Sequence, residues 1–268
     1  MKTILDFNKK DRKYIALQDY DKLLLGFVRK YKYIDEAAAK ILLSKKNDRA
    51  FRRRIRKLKD YNFIRQSNTI IDSVEWGVKP NYTIVFSLDS AGCDLYHTKK
   101  IKTVGVEGEH LKHNIFVRRV AASIEKIKIE NELLDYQIES LLDDYTDKIY
   151  IDKSKKYKLR PDIFLPIFNV LIEVELTIKP DKNHYAKRLF WSQYLKNYSK
   201  TIWLVNGQKD KEKLIKIFES FAGESFKYDS VMDKKMIFSD VLDSNLVVIF
   251  DDFFSNPEHF LKVWTGLT

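Results

Sequence analysis

The sequence predicts an α+β amino-terminal domain followed by an α/β domain with a mixed central sheet. Three observations carry this expectation. Short amphipathic helical patterns occupy residues 19 to 60 and lead into a strand pair rich in β-branched and aromatic residues. From about residue 157, apolar strand patterns alternate with helical ones. The charge, finally, is divided unequally: of 49 Lys and Arg against 38 Asp and Glu, residues 1 to 60 hold 19 against 8, so the whole formal excess of +11 lies there. Such local density suits a phosphate-contacting module joined to a neutral one. With 268 residues, 44% of them hydrophobic and 32% charged, the chain can bury one sizeable core or two smaller ones, and its composition excludes a disordered or collagen-like protein.

In the first domain, Asp19 to Lys30 sets Tyr20, Leu23, Leu24, Phe27 and Val28 on one helical face. Asp35 is placed to cap a short helix carrying Ala37, Ala38, Ala39, Ile41 and Leu42, with Glu36 favouring its positive end. A third helix starts at Asn47/Asp48 and runs to about Lys59, with Phe51, Ile55 and Leu58 turned toward the other two. Ile70-Ile71 and Asn81 to Leu88, separated by a polar connector with Gly77 and Pro80, read as the strand pair. Three helices and then a hairpin is the order of a winged helix, and Ser90 to Tyr96 reads as a short helix leaving the wing. The boundary is expected near residues 97 to 108, giving a winged-helix domain over 1–100 and a second domain over 101–268.

The second domain opens with a helical block over 106 to 144, where Val117, Val120, Ala121, Ile124 and Ile127 form one stripe. Strands follow at Leu159 to Ile167 and Asn169 to Ile178, then a helix from Asp181 to about Tyr198, a strand at Thr201 to Val205, a helix at Lys209 to Phe221 and a strand from Asn245 to Phe250. Central strands apolar on both faces imply a sheet covered on both sides. No secretory signal or run of about 18 to 20 apolar residues is visible, so a cytoplasmic protein without membrane insertion is expected. The single cysteine, Cys93, excludes an intramolecular disulfide and a Cys-rich zinc site.

The third helix is almost wholly basic outside its apolar face. Lys45, Lys46, Arg49, Arg52, Arg53, Arg54, Arg56 and Lys57, with Asn47 at its start, form the candidate DNA-binding set. Like charges three and four apart destabilise an isolated helix, and DNA phosphates supply the missing counter-charge. Asn47, Arg49, Arg52 and Arg53 lie where a recognition helix meets base edges; a merely solvated basic face is the alternative.

The most chemical segment is Arg160-Pro161-Asp162, followed by Glu173-Val174-Glu175. On adjacent strands Asp162 and the two glutamates converge at one end of the sheet, Glu173 and Glu175 sharing a face because they are two apart. Hard oxygen ligands suit Mg²⁺ or Mn²⁺, and carboxylates inside an apolar strand are costly unless a metal or a basic partner neutralises them. The alternative is that they pair with Arg160, Lys179 or Lys182. His110 and His113 share a helical face, and His113, with Asn114 beside it, is the candidate general base or phosphate contact.

Through Pro161-Asp162 and Glu-x-Glu the sequence resembles the PD-(D/E)XK nuclease superfamily. With the winged helix and His110-Leu-Lys-His113-Asn114, it resembles more narrowly the replication-relaxation and MobC-type plasmid mobilisation proteins, which join a winged helix to a degenerate nuclease-like core. The resemblance covers about residues 15 to 205. It implies a metal-dependent endonuclease or relaxase that binds double-stranded DNA at a plasmid origin and nicks or relaxes it, with Asp162, Glu173 and Glu175 holding Mg²⁺ or Mn²⁺, His113 and Asn114 assisting, and other relaxosome proteins or a second copy of the chain as partners. The position two after the acid, usually Lys in that superfamily, is here Glu175; Lys179, Lys187 and Arg188 are candidates to replace it. A tyrosine nucleophile, Tyr185 or Tyr194, is the covalent alternative. The rival from another class is a non-catalytic DNA-binding regulator of replication or transcription that keeps a degenerate nuclease fold.

Overall fold

The computed structural model describes residues 3–6, 14–43, 48–70, 82–99, 108–130, 149–152, 155–157, 161–189, 200–221, 225–227, 235–237 and 241–265. It divides into two compact units, Met1–Lys126 and Ile127–Thr268. Both mix helices with sheet, in agreement with the expected α+β and α/β composition.

The first unit begins with an antiparallel hairpin of β1 (Thr3–Asp6) and β2 (Tyr14–Leu17). Helix α1 (Asp19–Tyr31), strand β3 (Tyr33–Asp35), helices α2 (Glu36–Leu42) and α3 (Asp48–Asp60), and strands β4 (Ile64–Ile70) and β5 (Tyr82–Leu88) follow. The three strands form an antiparallel sheet in the order β3-β5-β4. Asp35 caps α2 as its position predicts, its Oδ1 accepting from the Ala38 N–H at 3.2 Å. The apolar face of α3 is buried as its spacing predicts, with Phe51, Ile55 and Leu58 turned inward. Strand β4 starts at Ile64, earlier than the Ile70-Ile71 pair suggests. It lies at the sheet edge, where the ladder from Ile64↔Leu88 to Ile70↔Tyr82 supplies order and a polar stretch such as Arg65-Gln66-Ser67-Asn68 can meet solvent. Helix α4 (Ser90–Leu95) leaves the sheet, capped by Asp89.

The division between the units falls later than residues 97 to 108, because the first part of α5 (Gly108–Glu130) packs on the first unit. Leu111 and Ile115 join Tyr33 and Val85 in one buried cluster. Arg118 donates from Nε and Nη2 to the Tyr31 carbonyl at 3.1 and 2.8 Å, and its guanidinium lies 3.6 Å from the centre of the Tyr33 ring. Arg119 donates to Asp35 Oδ2 from Nε and Nη2 at 3.0 and 2.8 Å, so the acid that caps α2 also anchors α5.

The second unit contains hairpins of β6 (Ile149–Asp152) with β7 (Lys155–Tyr157) and of β11 (Ser225–Lys227) with β12 (Lys235–Ile237). Its central sheet has the order β13-β10-β9-β8, from β8 (Ile163–Leu165), β9 (Val170–Glu175), β10 (Lys200–Val205) and β13 (Asn245–Ile249). Strands β8 and β9 are antiparallel, separated by a short 3₁₀ turn at Pro166–Phe168 and by Asn169, whose φ of 54° suits an asparagine. Strands β9, β10 and β13 run parallel, so the sheet is mixed. Helix α6 (Lys182–Leu189) lies between β9 and β10 in sequence, and α7 (Gln208–Glu219) between β10 and β13, as parallel neighbours require. Tyr185, Ala186 and Leu189 of α6 and Leu214, Ile217 and Phe218 of α7 pack with Trp203 and Val205 of β10 into the main core. The short α8 (Val241–Ser244) precedes β13, and α9 (Phe250–Ser255) and α10 (Pro257–Thr265) close the described chain with Phe253 stacked on Trp264. Among the described residues no helix is long and apolar enough to cross a membrane.

Candidate functional site

Two groups of side chains stand out, one in each unit. The first is the outer face of α3. Because Phe51, Ile55 and Leu58 point inward, Arg49, Arg52, Arg53, Arg56 and Lys57 are left exposed. Lys45, Lys46 and Asn47 lie outside the described residues. The helix is fixed at both ends: Lys40 of α2 stands 3.0 Å from Asp48 and 2.9 Å from Glu36, and Lys59 donates to Gln66 of β4 at 2.8 Å. The outer face of α3 is thus a row of exposed cations on a helix packed through its apolar side.

Arg54 departs from the expected set. It donates from Nε to Asp21 Oδ1 at 2.7 Å and from Nη2 to Asp21 Oδ2, and Nη2 also meets the Ala16 carbonyl at 3.1 Å. Asp21 is 1% exposed, and its Oδ2 also accepts from the Gln18 N–H at 2.7 Å. Arg54 therefore ties α3 to α1 and β2. The helical period contained the signal: Arg54 is three residues after Phe51 and four before Leu58, at the margin of the apolar stripe.

The second group lies on the β8–β9 sheet edge and α6. Asp162, just before β8, and Glu173 and Glu175 on β9 are buried. Asp162 Oδ2 accepts from the Val174 N–H at 2.7 Å, which pins the acid beside β9. In register, Glu173 lies beside Trp203 and Glu175 beside Val205, so both glutamates share the face covered by α6. From that helix Arg188 donates through Nη1 to Glu173 Oε2. Burial raises the Asp162 carboxyl to about 7 and the Glu173 carboxyl to about 8, against the opposing attraction of Arg188. Burial works against the Arg188 charge as well, but Glu173, Asp162 and Glu175 together outweigh it and raise its pKa.

Around this cluster, Glu175 Oε1 is 3.8 Å from His184 Nε2, and His184 Nε2 is 3.1 Å from the Lys179 ammonium. Lys182 is exposed, while Arg160, the Lys187 side chain and Tyr194 lie outside what is described. Tyr185 is fully buried against Trp203 and Phe218, its hydroxyl accepts the Lys179 N–H at 2.9 Å, and burial raises its pKa. That environment removes Tyr185 from consideration as a nucleophile, which needs an accessible and activated oxygen. His113 and Asn114 sit on α5 in the first unit, where the Asn114 carbonyl accepts from Arg118 Nη1 at 2.9 Å. Asp162, Glu173, Glu175 and Arg188 all belong to the second unit.

The donor chemistry, carboxylate oxygens with an imidazole near Glu175, fits a hard divalent ion such as Mg²⁺ or Mn²⁺. Among the described residues, however, no group of three or more His, Cys, Asp or Glu is arranged to hold a metal. Comparison with protein-family models, with curated proteins and with solved structures finds no match to this chain.

Proposed function

We propose that the protein binds duplex DNA through α3 and the β4–β5 hairpin, and that its second unit nicks or relaxes that DNA with a divalent metal ion. The observation that carries the binding is the exposed row Arg49, Arg52, Arg53, Arg56 and Lys57 on a helix whose other face is buried. Its setting supports a winged helix: the order α1-β3-α2-α3-β4-β5 makes α3 the third helix, just ahead of a hairpin that serves as the wing.

For the second unit, Asp162 entering β8, Glu173 and Glu175 on the antiparallel neighbour β9, and a helix between β9 and the parallel β10 support a PD-(D/E)XK-like core. They agree with the resemblance to replication-relaxation and MobC-type plasmid mobilisation proteins. Asp162, Glu173 and Glu175 would hold the ion. Bound there, Mg²⁺ or Mn²⁺ would stabilise charge developing on the phosphate and activate the attacking oxygen. The chain's own part is to hold the carboxylates: the Val174 N–H orients Asp162, and the sheet register sets Glu173 and Glu175 on one side. Incubating supercoiled plasmid carrying the cognate origin with Mn²⁺ or Mg²⁺ tests this; wild type should nick it and Asp162→Ala and Glu173→Ala should not. Equal nicking by all three would reject the assignment.

One arrangement favours a second reading, a non-catalytic DNA-binding regulator. Glu175 occupies the place of the usual lysine, and Arg188 already neutralises Glu173. A calorimetric Mn²⁺ titration separates the two readings, since a regulator of this kind has no use for the ion.

A further inference from the structure

We infer that Gln66 of β4 is a base-reading residue: its amide, oriented by Lys59, donates into the minor groove beside the α3 site and favours A·T over G·C pairs there. This inference rests on the reading that α3 and the β4–β5 hairpin bind duplex DNA. Lys59 Nζ donates to Gln66 Oε1 at 2.8 Å. An ammonium has donors and no acceptor, so the amide oxygen must face it, and the amide nitrogen with its two N–H groups is turned the other way. Gln66 is exposed, so these donors are presented to a ligand in one fixed sense.

The position of Gln66 points to the groove. Arg52, Arg56 and Lys59 follow one another at intervals of four and three, so they form one ridge of α3, and Gln66 stands at its end. A helix lying in the major groove sets what flanks that ridge across the phosphate backbone, over the neighbouring minor groove. Strand β4 is the edge of its sheet, and it carries no acid to repel the phosphates. Asn68, two residues on, is exposed on the same face and continues the polar edge. In the minor groove A·T and T·A pairs show only acceptors, whereas G·C adds the guanine amino donor. A side chain that presents donors is therefore matched by A·T and opposed by G·C.

Fluorescence anisotropy with the full-length protein and three alternating duplexes, A·T, G·C and inosine·cytosine, tests the inference. Inosine lacks the guanine amino group, so its pair with cytosine keeps the major-groove pattern of G·C and takes the acceptor-only minor groove of A·T. Wild type should bind the A·T and inosine·cytosine duplexes alike, and both roughly three- to tenfold more tightly than G·C, the worth of one hydrogen bond. Gln66→Met, which removes the amide, and Gln66→Glu, which keeps an oxygen for Lys59 but loses the donors, should bind all three within about a factor of two of one another. An inosine·cytosine duplex bound like G·C, a wild type without preference, or variants that keep the wild-type preference would each overturn the inference and leave the DNA-binding reading standing. Failure of wild type to bind any of the three duplexes rejects that reading and the inference with it.

Discussion

Replacing Arg54 by alanine separates a structural arginine from the exposed ones around it that we propose contact DNA. Arg54 makes two hydrogen bonds to the buried Asp21 and one to the Ala16 carbonyl. Breaking a buried ion pair from one side typically costs roughly 3–5 kcal/mol, because the remaining charge is left without its partner. Here the cost is reduced on both sides: the Arg54 side chain keeps 15% exposure, and Asp21 keeps the Gln18 N–H. Arg54→Ala should therefore lose about 2–3 kcal/mol of the first unit's stability, a drop of about 10 °C in melting temperature for a unit of this size. Urea unfolding measures the first quantity, and fluorescence anisotropy with a labelled duplex measures affinity on the still-folded protein. Arg53→Ala, which removes an exposed neighbour, should stay within about 0.5 kcal/mol of wild type while the salt dependence of binding falls by about one phosphate contact. In the Asp21→Ala, Arg54→Ala double variant, part of the lost stability should return because no charge is orphaned. An Arg54→Ala protein as stable as wild type, yet weakened toward DNA as much as Arg53→Ala, would refute this assignment.

Asp35→Ala removes both the cap on α2 and the anchor for Arg119 and should cost about 3 kcal/mol in thermal unfolding, whereas Asp35→Asn, which keeps a capping oxygen, should cost about half as much. Gly92→Ala would place a Cβ 2.2 Å from the Phe63 carbonyl oxygen, so the helix must shift, and a loss of roughly 3 kcal/mol is expected by the same measurement. For pH, burial raises the Asp162 and Glu173 carboxyls above the value of about 4 that they have when unfolded. The folded state thus holds protons that the unfolded chain releases, and stability from this pair is full below about pH 4 and is lost as pH rises toward 8. Metal-free protein should unfold at a lower urea concentration at pH 8.5 than at pH 5.5, and Asp162→Asn should reduce that difference; a wild type equally stable at both values, or more stable at the higher one, contradicts the shift.

Much of the first unit was legible because its signals are local. Phe51, Ile55 and Leu58 follow the helical period, and Asp35 precedes an alanine-rich turn that needs a cap. The stripe from Val117 to Ile127 likewise proved buried. What could not be read depends on partners distant in sequence. Arg54 looks like its neighbours until Asp21, 33 residues earlier, is seen beneath it. Arg118 and Arg119 look like surface charges on α5, yet they bind the Tyr31 carbonyl and Asp35 and carry the first part of that helix into the first unit. In the second unit the placement of Asp162 at the entry to β8 and of Glu173 and Glu175 on the adjoining β9 followed from their spacing and the strand pattern. Arg188 was one of three basic residues expected to reach that site, but its direct contact with Glu173 depends on how α6 lies against the sheet.

The most direct test of the account is the salt dependence of duplex binding by the wild type and by a variant with Arg49, Arg52, Arg53, Arg56 and Lys57 all replaced by alanine. If these side chains meet phosphates, log K for the wild type falls linearly with log salt at a slope of up to about −4.5, and the variant's slope approaches zero. A wild-type slope near zero, or an equal slope in both proteins, would show that α3 is not the DNA-binding surface.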